Sequence, residues 1–336
     1  MAIFRSQTIP FALAGMLGLE ILSGLCTGQT STWTLPGSGY VYDAQVGAIR
    51  PLVGFIGAAV PGPAILDELE WASLGPNGKT ALVQRGDSLL WIADLQTPDR
   101  QTRVDGIISP KQALWSADSS RVVVLSKGSR LFWLTGSGPS QTVDASWNLD
   151  ELALPGAAGV KAPWYLLAAD GSGDRVFVST RTLHGWQLRI ASRTLAPVSV
   201  PTGGHPVAAV FASGGAQAYI ADSAAHQIWR MDGAGETPSL TPVISSSVYV
   251  DDPAGLALSA DDSRLFIADR TARTIRVFDS RTTELLGELP VETSPHSLTA
   301  TSPGRYILNS GDRSTDPFLY LDTANPARLV FVPRVQ

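Results

Sequence analysis

The chain contains very little cysteine and little charge. Its 336 residues include one cysteine, Cys26, and charged residues make up only 16% of the total. The formal net charge is -5 and the lysines and arginines are scattered, so the clustered positive charge needed to bind nucleic acid is missing. After residue 28 no apolar run approaches the roughly 18 residues of a transmembrane helix. We therefore expect no nucleic-acid partner and no membrane span in the mature chain.

The short motifs of common catalytic sites are missing as well. The sequence holds no Gly-x-Ser-x-Gly, His-Glu-x-x-His or Cys-x-x-Cys-His pattern and no phosphate-binding glycine loop. Such patterns mark nucleophilic serines, zinc sites, haem attachment and nucleotide sites. Their absence favours a protein that binds a ligand without transforming it.

The first 28 residues have the pattern of an export signal. Arg5 supplies a basic start, Phe11–Leu19 an apolar stretch and Cys26–Gly28 a small-residue exit. We therefore predict that residues 1–28 are a signal peptide and that the mature chain is periplasmic or secreted. A retained N-terminal membrane anchor is the alternative. Cleavage after Gly28 would leave a chain with no cysteine and hence no disulfide bond.

A proline-led pattern recurs along the rest of the chain. Its clearest copy is Pro253–Ser259, followed by Arg264–Asp269 and Ile275–Asp279, and related copies begin at Pro110 and Pro206. Each copy contains short apolar runs separated by turn residues. Repetition at about 40–50 residues with four short strands per unit is typical of a β-propeller.

The repeats predict one all-β domain over residues 29–336, a propeller of four-stranded antiparallel sheets. Seven blades are predicted, with six as the close alternative. The strands Tyr40–Asp43 and Ala48–Leu52 match the third and fourth strands of a unit. The predicted units lie near residues 69–106, 110–144, 163–204, 206–245, 253–292 and 295–333, with a partial unit at 32–54.

Large aromatic residues recur in the predicted third strands. Because the space between neighbouring blades widens away from the ring axis, bulky flat side chains at these positions are expected to fill it as core residues. The residues concerned are Trp91, Trp133, Trp186, Trp229 and Phe278.

The best-kept copy reads Pro-x-x-Leu-x-x-Ser-x-Asp over Pro253–Asp261. This pattern resembles the YVTN/NHL-type propeller repeats of exported bacterial proteins, with weaker cover over residues 69–333. The resemblance implies the propeller fold. Repeats of this type are shared by binding modules, lactonase-like hydrolases and quinoprotein-like enzymes, so the resemblance implies the fold more strongly than the function.

The loops that lead into the first strand of each unit are the expected ligand site, because they surround the mouth of the central channel. Residues adjacent to the proline position are displayed there. The candidate ligand-binding residues are Lys111, Trp164, His205, Asp251, Asp252 and His296.

Three of these candidates have side chains that suit a metal ion. Two imidazoles and a carboxylate, from His205, His296 and Asp252, are able to hold a divalent metal, or the carboxylate is able to orient one imidazole as a general base. The alternative is that all three line a solvated rim without meeting. A lactonase-type propeller would hold calcium with Glu, Asn and Asp, but the candidate donors cannot be matched to equivalent inner positions: Glu68, Glu70, Asn148, Asp252 and Asn309.

The sequence therefore favours an exported, monomeric scaffold that binds a protein, peptide or glycan on one face, without catalysis and without a cofactor. The alternative is a metal-dependent, lactonase-like hydrolase with one divalent metal ion at the channel mouth.

Overall fold

A computed structural model describes residues 39–54, 59–137, 140–152, 164–233, 237–245, 249–302, 304–309 and 316–334. These residues are almost entirely strands and turns, with one short 3-10 helix at Leu149–Leu152. The predicted signal peptide, residues 1–28, lies outside them. Within the described ranges, no helix is long and apolar enough to cross a membrane.

The strands form seven antiparallel sheets, which are the blades of a β-propeller. Blades 1 to 3 contain β1 (Tyr40–Asp43), β2 (Ala48–Val53), β3 (Val60–Pro61); β4 (Trp71–Leu74), β5 (Ala81–Arg85), β6 (Ser88–Ile92), β7 (Gln101–Val104); and β8 (Pro110–Trp115), β9 (Arg121–Ser126), β10 (Arg130–Ser137), β11 (Ser140–Asn148). Blades 4 and 5 contain β12 (Trp164–Ala169), β13 (Arg175–Thr182), β14 (Gly185–Ser192), β15 (Val198–Val200); and β16 (Pro206–Phe211), β17 (Gln217–Asp222), β18 (Gln227–Asp232), β19 (Ser239–Ser245). Blades 6 and 7 contain β20 (Pro253–Leu258), β21 (Arg264–Asp269), β22 (Thr274–Asp279), β23 (Leu285–Pro290); and β24 (Leu298–Ser302), β25 (Arg305–Leu308), β26 (Phe318–Asp322), β27 (Arg328–Val332).

The prediction of a seven-bladed, all-β propeller is confirmed. In blades 2 to 7 each strand pairs with the next one along the chain, from the ring centre outward, and each blade has four strands. Blade 1 has three strands among the described residues.

Blade 1 differs from the sequence interpretation in the position of its strands. β1 lies at the edge of its sheet, packs beside β4 and lines the central channel, so Tyr40–Asp43 is an innermost strand and not a third one. The sequence indicates a third strand at Tyr40–Asp43 because this segment ends in an aspartate, but this feature is not specific to third strands. Aspartates end the second strands at Asp222 and Asp269 as well as the third strand at Asp279.

The proline of the repeat marks the start of an innermost strand. Proline has no N–H to donate, so it suits the first residue of a strand. In β8, β16 and β20 the register shifts just after this proline, which leaves the next residue outside the regular pairing. The residues left outside the regular strand pairing are Lys111, Val207 and Ala254.

The aromatic residues of the third strands pack between blades, as predicted, at four of the five positions. Trp91 and Phe278 are each 2% exposed and Trp133 is 1% exposed. Trp229 is half-buried and packs against the apolar cluster between blades 4 and 5. Trp186 is also half-buried, and it lines the channel.

The Ser-x-Asp step of the repeat closes the turn after the innermost strand. The hydroxyl of Ser259 donates to Asp261 Oδ1 over 2.6 Å and accepts the N–H of Arg264 at 2.9 Å. Asp261 also accepts the N–H of Ser263. Hydrogen bonds from these two serines lower the pKa of Asp261 to about 2. Every contact of this carboxylate is explained by the turn.

The two ends of the described chain meet through an ion pair. Arg334 Nη1 lies 2.9 Å from Asp43 Oδ1, and the two side chains are only 9% and 6% exposed. The same guanidinium lies 4.2 Å over the ring of Phe318. Around this pair, Val41 and Leu52 of blade 1 pack in one apolar cluster with residues of blade 7. Side-chain contacts therefore join blade 7 to blade 1.

Blades 6 and 7 are joined by a buried tyrosine. Tyr306 in β25 donates its hydroxyl to the carbonyl of Leu258 over 2.9 Å and accepts the N–H of Leu258 at 3.2 Å. Replacing Tyr306 with phenylalanine leaves both backbone groups without this partner, so the free energy of unfolding should fall by about 1–3 kcal/mol. Denaturant unfolding measures the change. Tyr165→Phe, at a side chain 42% exposed, is the control and should leave stability unchanged; equal stability of both variants would contradict the prediction.

Candidate functional site

The innermost strands surround a channel with a cavity volume of about 1150 Å³. We call the end at which these strands begin the top face. It carries the connections between blades and the turns between second and third strands, and the opposite end is the bottom face. All four histidines of the chain lie on the top face: His184, His205, His226 and His296.

Three predicted site residues line the top of the channel. Lys111 and His296 are exposed there, and His205 is half-buried. Asp251 and Asp252 lie beside them, in the connection that leads into β20. Five of the six predicted residues are therefore on the top face.

Trp164 does not reach the channel. Its side chain is 5% exposed and packs with Trp133 between blades 3 and 4. Its indole N–H donates to Asp150 Oδ1 over 3.3 Å. Because side chains alternate along a strand, the next residue, Tyr165, is the one that lines the channel.

The two aspartates beside the mouth already have partners. Arg270 Nη1 lies 2.8 Å and 3.0 Å from the two carboxylate oxygens of Asp252. The carbonyl of Asp251 lies 2.5 Å from Nδ1 of His226, and its carboxylate lies 3.7 Å from the same nitrogen. Arg270 also lines the channel, so this ion pair forms part of the mouth.

The predicted metal ligands are not brought together. Among the described residues, no three side chains of His, Cys, Asp or Glu lie close enough to hold a metal ion. Asp252 is occupied by Arg270, and Nδ1 of His205 lies 3.0 Å from the hydroxyl of Ser223. As arranged, His205, Asp252 and His296 do not fit a divalent metal.

His205 and Trp186 form a stacked pair at the mouth. Their ring centroids are 3.8 Å apart and the planes differ by 19°. Trp186 comes from the start of β14 in blade 4, whereas His205 precedes β16 in blade 5. Both rings line the channel, so the pair forms a rigid aromatic surface across two blades.

A buried aspartate holds the loop that carries His205. Asp222 is 1% exposed, and its Oδ1 accepts the N–H of His205 over 2.8 Å. A β-carbon at Gly204 would overlap with the Asp222 carboxylate, so this close approach requires glycine. Asn309 holds blade 7 in the same way, since its Oδ1 accepts the N–H of His296 at 2.6 Å.

Burial of the imidazole lowers the pKa of His205, and the positive charges of Arg181 and Arg270 act in the same direction. Asp222 and Asp252 oppose the shift. The folded protein therefore keeps this histidine neutral at pH values where the unfolded chain takes up a proton.

The stability of the fold should consequently depend on pH through His205. Its contribution is complete above the unfolded pKa of about 6.5 and is lost as the pH falls through the lower folded value. The His205→Gln variant should therefore lose less thermal stability than the wild type between about pH 7.5 and about pH 5. His184→Gln, in an exposed turn, is the control and should follow the wild type. Parallel curves for all three proteins would contradict the prediction.

Trp186 and Arg270 are the mouth residues that the sequence interpretation missed. Trp186 was expected in the core because it occupies a third strand. Its position differs from that of Trp91 or Trp133 because it is the second residue of β14, at the top end, whereas each of those residues is the fourth of its strand and lies further from the top face. The sequence signal that could have identified Trp186 as a mouth residue is its position along the third strand, and not only its presence in a third strand.

The top face also exposes large apolar side chains. Ile108 is 74% exposed, Leu183 66% and Tyr249 42%, and all three lie in connections or turns of this face. Together with Trp186 and His205 they form what we call the apolar rim. Only Trp186 and His205 of this set line the channel, and the other three lie elsewhere on the same face.

No protein-family model matches the chain, and no curated protein matches it. Among solved structures, a putative 6-phosphogluconolactonase from Bacteroides fragilis aligns with a TM-score of 0.56 and 11% identity, covering 88% of this chain and 94% of that one. The β-propeller domain of Cps50 (Swd1) from Myceliophteria thermophila gives 0.51 and 11%, covering 82% and 94%. A functionally unknown protein from Desulfotomaculum acetoxidans gives 0.51 and 14%, covering 78% of each chain. At these identities the likeness shows the fold alone, which is that of a β-propeller.

Proposed function

We propose that this chain is an exported, non-catalytic propeller scaffold that binds a protein, peptide or glycan on its top face. The observation that carries the proposal is the apolar rim: a stacked Trp186–His205 pair at the channel mouth and three exposed apolar side chains elsewhere on the same face. Tryptophan and tyrosine dominate binding energy at protein interfaces, because they bury large areas at low entropic cost.

The bottom face offers a poorer surface for a ligand. Several of its turns contain small polar residues that bond between neighbouring blades, although Val46 and Leu195 are exposed apolar side chains on this face. Asn77 N–H donates to Ser119 Oγ over 2.8 Å, and Ser213 N–H donates to Asp262 Oδ2 over 2.8 Å. Because these polar groups already have hydrogen-bond partners within the protein, few of their donors and acceptors remain for a ligand.

Exposed aliphatic side chains favour a peptide or protein over a glycan. Sugars stack on aromatic rings, but Ile108 and Leu183 offer only aliphatic surface, which matches the apolar side chains of a peptide. Export follows from the leader pattern in residues 1–28, and the YVTN/NHL-type repeat is consistent with a periplasmic or secreted monomer.

The test uses the mature chain, a displayed library of random peptides and a glycan array. Peptides selected on the wild type should lose about 30-fold in affinity for Trp186→Ala, since an aromatic anchor contributes about 2 kcal/mol. A glycan whose binding depends on Trp186 would support the scaffold with the other ligand class. Ligands that bind Trp186→Ala as tightly as the wild type would overturn the assignment to this face.

The hydrolase alternative has its own measurement. A stoichiometric metal that disappears in Asp252→Ala, together with a thermal melt sensitive to EDTA, would establish it and remove the non-catalytic proposal. Under our proposal, Asp252→Ala leaves metal content unchanged and EDTA does not shift the melting temperature.

A further inference from the structure

The channel interior is lined mainly by apolar side chains, and its charges lie at the two ends. Leu74, Leu167, Val210 and Ala300 line the interior, together with the polar residues Ser73, Gln112 and Thr299. Among the described lining residues, the charged or basic groups at the top end are Glu70, Lys111, Arg270 and the two histidines, and the charged groups at the bottom are Asp170 and Asp262. Five tyrosines also line the channel: Tyr40, Tyr42, Tyr165, Tyr306 and Tyr320.

The two ends differ in their lining charges, because among the described residues the bottom end has only carboxylates whereas the top end also has cations. At the bottom, Asp170 pairs with Arg175 at 2.9 Å and Asp262 accepts two hydrogen bonds from Ser213, and no cation lines the channel there in the described part of the chain. At the top, the ammonium group of Lys111 is exposed and has no ion-pair partner among the described residues. A carboxylate is therefore better placed beside Lys111 than at the bottom end, where both charged lining groups are acidic.

We propose that the channel binds an amphipathic carboxylate, with its aliphatic chain in the apolar interior and its carboxylate at Lys111. This site lies behind the apolar rim and does not depend on the ligand proposed for the top face. Arg270 is less available for the head group because Asp252 already neutralises it. Glu70 is exposed on the neighbouring blade, so the head group is expected on the side of Lys111 that faces away from it.

The dimensions of the channel suit an extended chain. Its walls are innermost strands of four to six residues, and at about 3.3 Å per residue they give a length of roughly 13–20 Å. An aliphatic chain that enters this interior buries one methylene after another. Each methylene should then raise the affinity about fourfold.

The experiment is isothermal titration calorimetry of the mature protein with octanoate, decanoate and dodecanoate, each below its micelle concentration. We expect the affinity to rise about fourfold per methylene. Dodecylammonium, which carries the opposite charge on the same chain, should bind more weakly than dodecanoate. Equal affinity for octanoate and dodecanoate, equal affinity for both head groups, or no saturable binding would overturn the proposal.

Two variants locate the site. Lys111→Met should weaken dodecanoate binding about tenfold, whereas Lys127→Met, an exposed lysine of the same face outside the channel, should not. Ala300→Trp places an indole in the channel and should abolish binding, whereas Thr241→Trp on the outer strand of blade 5 should not. Binding that survives both Lys111→Met and a folded Ala300→Trp protein would show adventitious binding only.

These tests are separate from that of the top-face ligand. Ala300→Trp leaves the apolar rim intact, so peptides selected on the wild type should still bind it. Loss of dodecanoate binding with retained peptide binding supports both proposals. Failure of one measurement does not alter the outcome of the other.

Discussion

Replacing Arg334 with alanine is expected to lower the free energy of unfolding by about 3–5 kcal/mol. Arg334 pairs with Asp43 across the junction between blade 7 and blade 1, and both side chains are at least nine-tenths buried. Removal of the guanidinium leaves the Asp43 carboxylate buried without its counter-charge and removes the cation that lies over Phe318. The pair joins residues 291 positions apart in the chain, so the loss acts directly on closure of the ring.

Denaturant unfolding of Arg334→Ala and Arg103→Ala measures this effect. Arg103 pairs with Asp105 at 3.2 Å, but their side chains are 66% and 87% exposed, and solvent screens such pairs. Arg103→Ala should therefore change stability by less than about 1 kcal/mol. If both variants were equally stable, closure of the ring would not depend on the Arg334–Asp43 pair.

The second large effect is expected at Asp269, at the end of β21. This carboxylate is fully buried, accepts the N–H groups of Asp251 and Ala272 at 2.9 Å each, and pairs with Arg276 at 3.2 Å. Asp269→Ala leaves two donors without their acceptor and weakens the pairing of a guanidinium that is only 11% exposed. We expect a loss of about 3 kcal/mol, at the lower end for a buried pair because Glu288 still binds Arg276 at 2.8 Å.

Asp269→Asn separates hydrogen bonding from charge. The amide oxygen is able to accept one of the two N–H groups, so this variant should lose less stability than Asp269→Ala. Asp105→Ala, at the exposed end of the surface pair, is the control and should match the wild type. A thermal melt of Asp269→Ala within error of the control would contradict the role of Asp269 in holding the top-face loop.

The repeat predicted the ring well because local chemistry dictates it. Pro253 begins an innermost strand since it needs no ladder hydrogen bond, and Ser259 with Asp261 closes the turn that follows. Neither requirement depends on distant residues. Degraded copies of the pattern therefore still fold as blades, and six blades followed from the repeat units. The seventh followed from the partial unit at 32–54, although its first strand is an innermost strand and not a third one.

The site was less predictable because it depends on contacts between blades. Trp164 and Tyr165 are neighbours in β12, and one step in register decides which of them faces the channel. Trp186 lies at the mouth, where it stacks on His205 of the next blade. Asp252 appeared free in the sequence, but Arg270, eighteen positions later, occupies it. These side-chain contacts depend on how the ends of the second strands approach the loops of the top face. The repeat pattern in the sequence does not predict that arrangement.

The most direct test of top-face binding compares two leucines of blade 4. Leu183, 66% exposed, lies in the turn on the top face, and Leu195, 58% exposed, lies in the connection on the bottom face. We would measure the affinity of peptides selected on the wild type for Leu183→Ser and Leu195→Ser. We expect weaker binding to Leu183→Ser and unchanged binding to Leu195→Ser. Loss at Leu195 with none at Leu183 would place the ligand on the opposite face and contradict it.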